Sequence, residues 1–122
     1  MTDPTPEFPI GMPREILFGH VRYTVHVDIS EVDLEQPADG QRMGQTEHHF
    51  RRIWVNAEEG LSLEQIQNTL LHEVLHCCVN ISGLWSNGRP NEVEEQYVNA
   101  MTTPLHGVLL NNPELLSWLT KP

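Results

Sequence analysis

A chain of 122 residues and 14.0 kDa holds one ordinary domain, with little left over for a second core. Its 39% hydrophobic fraction and 8 glycines are normal for a globular protein and exclude disorder throughout. With 7 basic residues against 17 acidic ones and a net charge of −10, it has no basic face for phosphates or an anionic bilayer, so neither nucleic acid nor membrane is an expected partner.

Residues 1–13 carry four prolines and are expected to form a flexible arm ahead of a single domain over 14–122. Met1 to Gly11 lacks the basic-then-apolar order of a signal peptide, and no apolar run approaches about 18 residues, so a cytoplasmic location is expected. From Ile16 to Ile29, β-branched and aromatic residues alternate with polar ones, the pattern of a half-buried strand, and Gly19 is placed to split it in two. Residues 31–48, with Pro37, Asp39-Gly40 and Gly44, read as a loop or hairpin connection. A second strand is predicted over Arg51 to Asn56, with Ile53 and Val55 on one face and Trp54 on the other.

Ser62 and Gln65 form a capping box, in which each side chain satisfies the other's free backbone N–H, and Gly83 is a natural stop. Leu63, Ile66, Leu70, Val74, Cys77 and Ile81 recur every three or four residues, which predicts a helix over 62–81. Leu71, Leu75, Cys78 and Val79 widen its apolar surface, so this central helix should be buried on more than one side. The adjacent Cys77 and Cys78 cannot staple distant segments and are both expected to pack as buried thiols. Residues 82–91 form a loop, and the spacing of Asn91 and Glu94 begins a second helix near 92, which Pro104 and Gly107 should kink or divide. Asn112-Pro113 opens a short terminal helix whose Leu115, Leu116, Trp118 and Leu119 are expected to dock on the core. Strands followed by helices predict an α+β fold, a small antiparallel or mixed sheet packed on the central helix and a second helix.

His72-Glu73-Val74-Leu75-His76 is the H-E-x-x-H arrangement in the middle of the best-marked helix. Residues four apart lie one turn above each other, so two imidazoles can hold one metal, with Glu73 beside them. Random order would produce about 0.04 such matches in a chain of this composition. On a helical wheel starting at Leu63, His72 and His76 fall at about 180° and 220°, away from the apolar stripe and towards a cleft. A catalytic zinc takes three protein ligands, and the second helix offers Glu92, Glu94 and Glu95 as the third. EVEEQ could instead be an acidic first turn answering the helix dipole.

The run LLHEVLH, followed by a short loop and a helix containing Glu94-Glu95-Gln96-Tyr97-Val98-Asn99, resembles the gluzincin metallopeptidases over about residues 50–103, in particular their small phage-type and minimal single-domain members. The resemblance implies a zincin-like domain that binds Zn2+ through His72, His76 and Glu95, with Glu94 as runner-up. Asn99, four residues after Glu95, would support a zinc-bound histidine. Glu94 would instead fold back on Asn91. Glu73 would act as general base on a water whose pKa zinc lowers from 15.7 towards 7, cleaving the peptide bond of a peptide or protein substrate. The substrate would lie against the sheet edge preceding the helix, here Arg51 to Asn56.

A donor for the developing oxyanion could be Tyr97, His106, His48 or His49, the last two being eligible as metal ligands as well. Trp85 could cap the cleft. The alternative is a non-catalytic zinc-binding structural or regulatory interaction domain, although a closed structural site normally fills all four positions with Cys and His. A metal hydrolase acting on something other than a peptide is also open.

Overall fold

Gly19 adopts φ 65°, and this left-handed residue lets the first predicted strand turn back on itself through a two-residue loop. The products are β1 (Glu15–Phe18) and β2 (Val21–His26), an antiparallel pair in which Phe18 faces Val21. The structure, a computed structural model, describes residues 7–27, 43–83 and 92–122. Within the expected N-terminal arm, Phe8 and Met12 pack against the core, and the Arg14 guanidinium lies 4.0 Å over the Phe8 ring.

The second predicted strand is β4 (Arg52–Val55), which pairs parallel with β2. A strand also stands where a connection was expected. This is β3 (Gly44–Glu47), antiparallel to β4, so the sheet order is β1-β2-β4-β3. The GQTE sequence of β3 carries no apolar alternation. Its conformation comes from pairing with β4 and from the tight turn at 48–51, which the Arg51 N–H closes onto the His48 carbonyl with Arg51 at φ 53°. Because β4 is interior, Ile53, Trp54 and Val55 are all buried, Trp54 donating its indole N–H to Glu47 on the face opposite the core.

Helix α1 (Leu63–Ser82) begins with the predicted capping box, both hydrogen bonds made, and ends at Gly83 with φ 70°. Its stripe, centred on Ile66, Leu70, Val74 and Cys77, packs against Tyr23, Val25, Ile53 and Val55 of the sheet. Cys77 is fully buried, whereas Cys78 is exposed, which corrects the expectation for the second thiol. About 60° around the wheel from Leu63, Cys78 falls on the side covered by neither the sheet nor the next helix.

Helix α2 (Glu92–Asn111) packs on α1 through buried Glu94, Val98 and Thr102, and runs undivided through Pro104 and Gly107. Helix α3 (Pro113–Leu119) has no buried residue: Trp118 is 71% exposed, and Leu115, Leu116 and Leu119 are exposed as well. The expected docking of this helix on the core is therefore not made. The main contact of α3 is with α2, and its apolar side chains stay largely exposed. Among the described residues, no helix is long and apolar enough to cross a membrane. The architecture is α+β, a four-stranded mixed sheet packed against α1 and α2.

Candidate metal centre

Three elements converge beside the middle of α1. The helix presents His72 and His76 one turn apart on the side facing α2, and Glu73 on the side facing β3. Helix α2 contributes Glu94 and Glu95 from its first turn. The His72 and His76 Nε2 atoms are 3.2 Å apart. Glu95 closes the triangle, with Oε1 3.1 Å from His72 Nε2 and Oε2 3.0 Å from His76 Nε2. Ligands at 2.0–2.1 Å from a tetrahedral ion lie about 3.3 Å from each other, so these spacings fit one small ion with little movement. His72, His76 and Glu95 thus form a group that could hold a metal ion.

The donor chemistry agrees with the spacing. A ligating imidazole must be neutral, with a lone pair directed at the ion. Burial, reinforced by the neighbouring His76, pushes the His72 pKa below the ordinary histidine value against the opposing pull of Glu95. His76 is 7% exposed, and its Nδ1 lies 2.6 Å from Oε2 of the buried Glu94. Glu94 can accept from an Nδ1–H, which leaves Nε2, the nitrogen that faces Glu95, as the one to turn to an ion. Glu94 therefore does for His76 what Asn99 was expected to do. Asn99 is exposed, and the capping partner expected for Glu94, Asn91, lies outside the described residues.

Glu73 is 5% exposed and accepts a hydrogen bond of 2.8 Å from the Thr46 hydroxyl of β3, while its second oxygen stands 3.9 Å from His72 Nε2. Gly44, two residues before Thr46, makes this approach feasible. A Cβ there would meet Thr69 Cγ2 at 2.8 Å, the Trp54 carbonyl oxygen at 3.0 Å and Glu73 Cγ at 3.2 Å. The strand lies so close to α1 that it forms one wall of a cleft of about 300 Å³, lined by Gly44, Gln45, Thr46 and His48 opposite His72, Glu73, His76 and Glu95. The edge strand beside the site is thus β3, not the Arg51 to Asn56 segment, which is flanked on both sides.

Of the four residues considered as oxyanion donors, His48 alone lines this cleft. Tyr97 is 62% exposed, His49 is exposed against Phe50, and His106 lies far along α2. His48 Nδ1 is 2.9 Å from the hydroxyl of Tyr23, and burial lowers its pKa. Trp85 lies outside the described residues, as do the other positions of 84–91, where most of the loop over 82–91 was expected. Sequence reasoning did not find Glu94 as the partner of His76, Thr46 as the partner of Glu73, or Tyr23 behind His48. The i, i+4 histidines pointed to the site, but nothing in the linear sequence marks which hydroxyl or carboxylate will stand behind each ligand. In comparisons with known proteins, the chain matches no family model, no curated protein and no solved structure.

Proposed function

We propose that this domain is a small zinc-dependent metallopeptidase, with His72, His76 and Glu95 as metal ligands and Glu73 as general base. The observation that carries the reading is that the His72 and His76 Nε2 atoms lie 3.2 Å apart, each within 3.1 Å of one oxygen of the Glu95 carboxylate, with the buried Glu73 carboxylate beside them on a cleft wall. Three ligands leave a fourth position for water or substrate. A bound zinc would supply Lewis acidity, polarising a scissile carbonyl and lowering the pKa of a coordinated water towards 7.

The chain's own residues supply the remainder. Glu73 accepts a proton at the carboxylate that Thr46 orients, and returns it to the leaving amine. Glu94 holds the His76 ring in the tautomer that ligation needs. Among the described residues no strand pairs with the outer side of β3, so its backbone can take an extended peptide as an added strand beside the cleft. That substrate mode replaces the one expected on Arg51 to Asn56.

Metal content by mass spectrometry tests the site. Zinc near one ion per chain is expected in the wild type and should be lost in His76→Ala and Glu95→Ala. A peptide-library assay tests the reaction, with Glu73→Gln retaining metal and losing cleavage. A wild type that takes up no zinc would overturn the reading.

A further inference from the structure

His48 opens the turn between β3 and β4, where it lines the cleft on the wall opposite the two ligand histidines. Its Nδ1 is turned away from the cleft, to the hydroxyl of Tyr23, which is 1% exposed in the core. Two features decide the direction of that hydrogen bond. Burial pushes the Tyr23 hydroxyl up to about 12, so it keeps its proton at neutral pH and has one O–H to donate. Tyr23 also meets Cys77, but a sulfur is a weak acceptor and an imidazole nitrogen a good one. The single Tyr23 O–H therefore goes to His48 Nδ1, and the thiol can donate to the phenol oxygen behind it.

We propose that Tyr23 is a positioning residue that locks neutral His48 in the tautomer with its proton on Nε2, and that this N–H is the cleft's donor to an anionic oxygen bound at the metal centre. The ligand class is a carboxylate, a phosphonate or the developing oxyanion of an acyl group. A donor fixed in advance needs no reorientation as negative charge develops. The proposal rests on the metallopeptidase reading for the anion's location, but the tautomer is a property of the metal-free protein.

Long-range ¹H–¹⁵N correlation spectroscopy of the metal-free wild type reads that tautomer directly. The Nε2–H form is expected, and Tyr23→Phe should convert His48 to a mixture. An Nδ1–H form in the wild type would overturn the proposal even if the variant fails to fold, and so would a tautomer unchanged in a folded Tyr23→Phe. Titration of the zinc-loaded protein with methylphosphonate then tests the donor. Saturable shifts of the His48 Nε2 resonance are expected, with binding weakened about tenfold or more in His48→Leu at unchanged zinc content. Zinc uptake with no response at His48 overturns the donor role. No zinc uptake overturns the metallopeptidase reading and the donor role with it, leaving the tautomer measurement to decide what Tyr23 does.

Discussion

The Glu94 carboxylate meets the candidate metal site through Nδ1 of the His76 ring, the nitrogen away from Glu95. Losing it would free the ring to rotate and to take the other tautomer, the arrangement that typically lowers metal affinity 10–100-fold when disrupted. Glu94→Ala is accordingly expected to weaken zinc binding by about 10–100-fold in a chelator competition. Asn99→Ala, at an exposed position, is expected to leave it unchanged. The network behind His48 makes a separate prediction in pH. Cys77 and Tyr23 have ordinary values of 9.0 and 10.0, and both are raised to about 12 by burial in the fold. Above pH 9 the unfolded chain sheds these protons first, so the stability held by the neutral groups is complete below that point and is lost as pH rises towards 12. Denaturant titrations across this range should show the decline. Cys77→Ala, though less stable throughout, should show a flatter pH dependence between 9 and 10.

At the scale of elements, α1 was legible because its signals are local. Ser62 and Gln65 mark its start, Gly83 its end, and the apolar stripe its contact with the sheet. The motif's two histidines followed from the same periodicity, whereas the start of the next helix offered Glu92, Glu94 and Glu95 alike, and the resemblance singled out Glu95. β3 was not legible, since of Gly44, Gln45 and Thr46 only the threonine favours a strand and there is no apolar alternation, so that their conformation is imposed by a neighbour. Docking of α3 was misjudged for the opposite reason: Leu115, Leu116, Trp118 and Leu119 form an apolar cluster, but composition cannot say whether a partner surface lies within reach. The closeness of β3 to α1 also has a measurable consequence. Gly44→Ala would drive a methyl group into Thr69 Cγ2 and the Trp54 carbonyl, and the backbone atom cannot swing aside. A loss of about 1–3 kcal/mol is expected in chemical denaturation, the usual cost of overpacking. A change within 0.3 kcal/mol or so would show that β3 can shift away from the helix.

For the whole molecule, the candidate ligands belong to two helices whose sequence connection passes through residues 84–91. Helix α2 sends only Glu94, Val98 and Thr102 into the interior, and two of these three are polar. Apolar burial therefore holds α2 to α1 only modestly, while an ion bound by His72, His76 and Glu95 would tie the two together directly. An ion that binds the folded chain and not the unfolded one adds stability by mass action, about 2.7 kcal/mol at a free concentration 100 times its dissociation constant. Zinc is thus expected to raise the melting temperature of the wild type by several degrees, and chelation to reverse the rise. Glu95→Ala separates this clamp from binding by the histidine pair alone, because α1 keeps both histidines. If the ion bridges the helices, that variant should melt near the metal-free wild type and gain little from added zinc. A zinc-dependent rise as large in Glu95→Ala as in the wild type would place the ion on α1 alone and remove α2 from the site.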